Sequence, residues 1–117
     1  MNGGIIFMKI YYDVEGDTLE VQFMLGKPNK RTGISLTDQI TLFCDTSFQK
    51  IFGFVILAYS KLLALPELPL GELSRVPEET RHKIKQLMSQ APLNRFLYLN
   101  NDCVGIKDMH ISELVAQ

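Results

Sequence analysis

Three carboxylates, Asp13, Glu15 and Asp17, alternate along one short segment, Asp13-Val-Glu-Gly-Asp17. Clustered carboxylates of this kind are oxygen donors for Ca²⁺ or Mg²⁺. A calcium loop also needs glycine at its sixth position and glutamate at its twelfth. Counted from Asp13, those positions hold Thr18 and Met24. Glycoside hydrolysis needs two carboxylates facing each other across a cleft, which a single turn does not supply. The segment is expected to be a solvated turn, with Gly16 free to take positive φ.

A second group is cationic. Lys27, Lys30 and Arg31 share the polar loop from Gly26 to Gly33, with Lys50 a candidate neighbour. Such a group can contact phosphate, so Lys27, Lys30 and Arg31 are the candidate anion-binding residues. The loop has no aromatic side chain for a base to stack on, which argues against single-stranded nucleic acid as the partner. Arg81, His82, Lys83 and Lys85 form another basic group, read as the wet face of a helix. Cys44 and Cys103 each sit inside an apolar stretch, the pattern of small buried hydrophobes and not of a disulfide framework. Neither His82 nor His110 has a cysteine or histidine at ligand spacing, and no glycine-rich run resembles a phosphate cradle. The expectation is no catalytic residue, no metal and no cofactor.

The elements that would position these residues are mostly strands. Met8 to Tyr12 and Thr18 to Met24 are predicted to form a hairpin, because Leu19, Val21 and Phe23 alternate with Glu20 and Gln22. A short strand is predicted at Ser35 to Thr37 and another at Ile40 to Cys44, with Asp45 to Lys50 as its turn. Phe52 to Leu57 is apolar except at Gly53, which predicts a central strand covered on both sides. A helical turn begins at Ser60. The stretch Leu65 to Leu73 contains Pro66, Pro69 and Gly71, which oppose regular structure. Its leucines predict an extended path against apolar surface. Pro77 to Gln90 is predicted to be an amphipathic helix, with Pro77 at its first position, Glu78 and Glu79 at the positive end of its dipole, and Ile84, Leu87, Met88 and Ala91 on one face. Arg95 to Leu99 and Cys103 to Lys107 read as a hairpin around Asn100-Asn101-Asp102, followed by a helical turn at Ser112 to Ala116. The fold class is α+β, built from antiparallel β-meander hairpins with one amphipathic helix and short helical turns.

The 117 residues fit a single domain, and a net charge of −1 gives no global attraction to nucleic acid or acidic membranes. Met1 to Phe7 lacks the basic flank and long apolar run of a signal peptide. It reads either as an extension or as marking an alternative start at Met8. The longest apolar stretch, Ile51 to Tyr59, is far short of the roughly 20 residues a membrane helix needs. A cytoplasmic location with no membrane partner is expected.

Residues 51–64 align without a gap on residues 103–116. Gly53 meets Gly105, Ser60 meets Ser112, Leu62 meets Leu114 and Ala64 meets Ala116, while Leu42-Phe43 correspond to Leu97-Tyr98. A partial repeat and two hairpins of common grammar both account for this.

Met8-Lys9-Ile10, Tyr12-Asp13, Glu15, Asp17, Leu19, Val21 and Phe23, with Gly53, Ile56, Ala58, Ser60 and Lys61 further on, resemble the small bacterial family catalogued as domain of unknown function 2283. The resemblance covers residues 8–64. It departs at Asp45 to Lys50, where that family has a tight acidic turn with glycine, and leaves everything from Leu65 onward outside. It implies a small β-meander with a terminal helical turn and no known chemistry. Some family members are suspected partners of small toxin-like proteins, which implies an antitoxin-like role.

From the sequence we expect a non-enzymatic interaction module that self-associates as a homodimer and binds a protein partner. Leu65, Leu68, Leu70 and Leu73 are the candidate interface, because the surplus of apolar side chains would need cover. The alternatives are a nucleic-acid-binding accessory protein using the basic loop, and a small-ligand binder or enzyme with a pocket the sequence does not reveal.

Overall fold

Alternation at Thr18 to Phe23 decides the first pairing. Leu19, Val21 and Phe23 are buried and the polar residues between them are half-buried, so one face of this strand is covered. The structure, a computed structural model, describes residues 8–23 and 30–107. Met8–Asp13 (β1) pairs antiparallel with Thr18–Phe23 (β2), Met8 opposite Phe23 and Asp13 opposite Thr18. The left-handed residue of the intervening turn is Asp17, with φ 51, and not Gly16. Aspartate tolerates that region better than most residues, and its carboxylate is held from both sides, as described below.

Arg31–Ser35 (β3), Ile40–Asp45 (β4) and Ile51–Ile56 (β5) complete a five-stranded antiparallel sheet in the order β1-β2-β5-β4-β3. β5 is the central strand, as its apolar run predicts. Among the described residues it is covered on one side only. Ile51, Phe54 and Ile56 are buried, but Val55 is half-buried beside Glu20 and Thr41. The predicted strand at Ser35 to Thr37 lies earlier, and the polar loop correspondingly ends before Arg31. Thr37 is the cause. Its hydroxyl accepts the backbone N–H groups of Gln39 and Ile40 at 3.0 and 3.2 Å, closing a turn that ends β3 at Ser35.

Tyr59–Leu63 forms a short helix (α1). The leucine-rich stretch after it is more regular than its prolines predict. Leu68–Pro69 (β6) pairs antiparallel with Cys103–Ile106 (β8), and Leu73–Arg75 makes a 3₁₀ turn. Pro69 is tolerated because β6 is an edge strand. Glu78–Met88 (α2) is the predicted helix, one residue shorter at its start because Pro77 stays extended with ψ 150, and two residues shorter at its end, where Ser89 is the cap. The Pro77 carbonyl still accepts the Arg81 N–H at 2.9 Å. Leu97–Asn100 (β7) and β8 are joined by Asn101 and Asp102, with Asn101 left-handed. Arg95, expected in this strand, instead belongs to the 3₁₀ turn Leu93–Arg95, where Leu93 is driven fully into the core. The second sheet has the order β6-β8-β7.

One core joins the two sheets. Ile84, Leu87 and Met88 of α2 are buried in it with the inner row of the large sheet. Phe96, leading into β7, lies 5.2 Å from the Phe54 ring and 6.1 Å from the Phe23 ring, centroid to centroid. Leu70 and Leu73 are also spent here, at 6% and 0% exposure. These two candidate interface residues are therefore covered by their own chain, because β6 folds the connector back onto the core. Leu68 is half-buried and Leu65 exposed. No helix among the described residues is long and apolar enough to cross a membrane.

Leu42 faces Phe54 and Phe43 faces Gly53 in one hairpin, while Leu97 faces Ile106 and Tyr98 faces Gly105 in the other. Residues that correspond in sequence thus hold corresponding register positions. The hairpins differ in setting, since only the first carries a bulge, at Phe43/Cys44. The helical turn expected at Ser112 to Ala116 lies outside the described residues.

Candidate functional site

The cationic candidates are placed by β3. Lys27 lies outside the described residues. Lys30 and Arg31 are exposed at the start of that edge strand. The Arg31 guanidinium carbon stands 5.2 Å from the centre of the Phe43 ring, a cation–π arrangement. Gly33, opposite Phe43, makes room for it, since a Cβ there would come within 3.3 Å of the ring. Arg31 also faces Asp45 in the register. Asp45 accepts the Ser47 hydroxyl at 2.5 Å and the backbone N–H groups of Gln49 and Lys50 at 2.7 and 2.8 Å. Desolvation pushes its carboxyl up, but these hydrogen bonds outweigh it and hold the group below the ordinary aspartate value. A carboxylate opposite Arg31 in the register adds negative charge beside the patch, which weakens it as an anion site.

The acidic turn does structural work. Asp17 accepts the Tyr12 hydroxyl at 2.5 Å, the Ser60 N–H at 3.0 Å and the Ser60 hydroxyl at 2.8 Å. The Tyr12 hydrogen bond, followed by those from Ser60, holds the Asp17 carboxyl below its ordinary value. The same contact with Asp17, then burial, pushes the Tyr12 phenol up. Asp13 and Glu15 are exposed and do not join Asp17 in a donor set. Among the described residues no group of three or more His, Cys, Asp or Glu side chains converges as metal ligands would.

Cys44 is fully buried in β4, and Cys103 is half-buried in β8. Desolvation, and then the neighbouring Asp45, push the Cys44 thiol up to about 11, the opposite of what a nucleophile needs. A cleft of about 480 Å³ opens between the connector, α2 and the β7–β8 turn. Arg81 and Lys85 reach it from the basic helix face. Both already have oxygen partners, however: Arg81 at the Ser74 carbonyl, 3.5 Å, and Lys85 at the Asp102 carboxylate, 3.2 Å. Helical spacing reveals this cation pair, but nothing in the sequence shows that Asp102 returns to meet it.

The remaining candidate is the outer face of the large sheet. The register brings Lys9, Gln22, Gly53, Phe43 and Gly33 into one row, and Tyr11, Glu20, Val55, Thr41 and Ser35 into the next. None of the side chains in these rows is buried. Tyr11 is 52% exposed, and Gln22 and Glu20 are tied to each other at 2.9 Å. No motif or spacing in the sequence marks Lys9, Tyr11 or Phe43 as a site. Period-two alternation in β1 puts the first two on one face, whereas Phe43 needs the cross-strand glycines to be noticed.

No family model matches this chain, and no curated protein or solved structure matches it either.

Proposed function

We propose that this chain is a non-enzymatic protein-interaction module that self-associates and works through the open side of its five-stranded sheet. The contrast between the two faces of that sheet supports this reading best. The inner face is closed over a core that runs through to α2 and the small sheet. The outer face presents Tyr11, Phe43, Val55 and Arg31, none of them buried. Aromatic and arginine side chains dominate the energetics of protein interfaces, and unpaired strand edges add backbone hydrogen bonds to such a surface. On this reading the first partner is a second copy, forming a dimer. The resemblance of residues 8–64 to domain of unknown function 2283 adds a small toxin-like protein as a second partner class, in an antitoxin-like, cytoplasmic role. Light scattering of the full chain across micromolar concentrations tests the self-association. A dimer mass supports it, and a monomer mass at every concentration overturns it.

A second reading, a nucleic-acid-binding accessory protein, rests on one observation: Lys30 and Arg31 are both exposed, and Arg31 lies over the Phe43 ring. If it holds, a fluorescent single-stranded oligonucleotide binds at low salt and the Lys30→Glu/Arg31→Glu protein binds more weakly. Equal anisotropy for the two proteins rules it out.

A further inference from the structure

Strand β1 has β2 on one side and, among the described residues, no strand on the other. Its outward backbone groups are a template for another strand. Its side chains alternate cleanly. Lys9, Tyr11 and Asp13 are exposed on the outer face, and Met8, Ile10 and Tyr12 are half-buried on the inner face. We propose that a second copy of this chain pairs here, β1 antiparallel to β1 about a two-fold axis through Tyr11, so that two five-stranded sheets become one continuous sheet. The inference rests on the self-association reading and names its surface.

Geometry narrows the register to a few choices. Residues directly opposed in an antiparallel pair share a face. A two-fold axis perpendicular to a continuous sheet must therefore pass through a residue and not between two. Within Met8–Asp13 the axes that use most of the strand pass through Ile10 or Tyr11, and an axis at Tyr12 pairs only its last three residues. An axis at Ile10 sets Lys9 against Tyr11 and leaves Asp13 beyond the paired region. An axis at Tyr12 sets Tyr11 against Asp13 and leaves Lys9 beyond it. The axis at Tyr11 sets Lys9 against the second copy's Asp13, and does so twice by symmetry. It also sets Tyr11 against its own copy on the outer face and Ile10 against Tyr12 on the inner face. Opposite charges and aromatic or apolar pairs are the cross-strand combinations that favour pairing. Only this register supplies them on both faces.

The same register explains the lysine. A charged side chain on an edge strand normally discourages pairing with arbitrary strands. Lys9 does so here, except against a strand carrying an acid four residues further on, and β1 itself is such a strand. The opposite edge, β3, lacks this property. A two-fold at Gly33 would set Arg31 against Ser35, and Arg31 is already engaged on Phe43.

Charge reversal and cross-linking in the full chain test the proposal. Lys9→Asp and Asp13→Lys each place like charges opposite one another and should raise the dimer Kd roughly tenfold or more. The double variant Lys9→Asp/Asp13→Lys should recover most of the loss. Tyr11→Cys should give a disulfide-linked dimer under mild oxidation, at a level the parent protein does not reach. Lys9→Cys should not, because its two copies are offset by four residues, roughly 13 Å along the strands. A dimer that ignores the charge changes and does not cross-link through Tyr11→Cys removes β1 as the interface while self-association stands. A protein that is monomeric throughout removes both.

Discussion

The Asp17 carboxylate accepts both the backbone N–H and the hydroxyl of Ser60, 43 residues away along the chain. Its own carbonyl accepts the Tyr59 N–H at 2.9 Å. The β1–β2 turn is thereby fastened to the start of α1, and the Tyr12 and Tyr59 rings meet edge-on beneath it at 5.9 Å. Asp17 makes this contact from a left-handed backbone conformation, with φ 51.

Replacing Asp17 with asparagine should lower the thermal midpoint at neutral pH, and the difference should be pH-dependent. The folded Asp17 carboxyl titrates below its ordinary value. Its stabilisation is therefore complete above that ordinary value and is lost as the pH falls through the depressed folded value. The wild-type and Asp17→Asn midpoints should converge in acid. The variant should also let Tyr12 ionise closer to the ordinary tyrosine value, since Asp17 is the main cause of its upward shift. Thermal melts across acidic pH and an ultraviolet phenol titration check the two effects. A pH-independent difference would remove the clamp from the account.

Gly53 and Gly105 hold equivalent register positions but should respond differently to alanine. A Cβ at Gly53 runs into the Val21 backbone carbonyl, which cannot move without breaking the β2–β5 ladder. Gly53→Ala should cost about 1–3 kcal/mol or more in denaturant unfolding. The nearest atoms to a Cβ at Gly105 are those at the outer end of the Tyr98 ring. That ring is 36% exposed, with a hydroxyl 3.3 Å from the Pro66 carbonyl. It can swing aside, so Gly105→Ala should cost less. Its effect should also largely vanish in a Tyr98→Ala background, which a double-mutant cycle measures.

Much of this arrangement is legible in the chain itself. The alternation of Leu19, Val21 and Phe23 identifies β2, the apolar run around Phe54 identifies the central strand, and helical spacing identifies α2. What is not legible is long-range pairing. β6 exists because Leu68 and Pro69 meet Val104 and Cys103, and a local reading sees only prolines there. Thr37 ends β3 through hydrogen bonds that become visible only once the turn is formed. The Lys9 and Asp13 alternation is plain in the sequence. Its importance is not, because nothing local tells an edge strand from an interior one.

The two thiols should differ sharply in reactivity. Cys44 is fully buried with its thiol pushed up to about 11, whereas Cys103 is half-buried. In the native protein, a disulfide reagent at mildly alkaline pH should label Cys103 first. Cys44 should react slower by two to three orders of magnitude, through its small thiolate fraction and lack of access. In denaturant the two should react alike. Peptide mapping of the labelled protein identifies the sites. Equal native rates would mean that the inner face of β4 opens readily.

Phe96 is the residue on which the two sheets depend together. It belongs to the chain leading into β7, yet its ring packs on Phe54 and Phe23 of the large sheet. It is 5% exposed. Phe96→Ala should cost about 3–5 kcal/mol, a large share of the roughly 5–15 kcal/mol that holds such a domain folded. The loss should strike both sheets at once, because the cavity opens at their junction. Unfolding followed by far-ultraviolet circular dichroism and by tyrosine fluorescence should therefore shift together and stay coincident. Leu65→Ala is the control: Leu65 is 48% exposed and its loss should fall within about 0.5 kcal/mol. Two separated transitions, or a Phe96→Ala cost no larger than that of the control, would show that the sheets do not share a core.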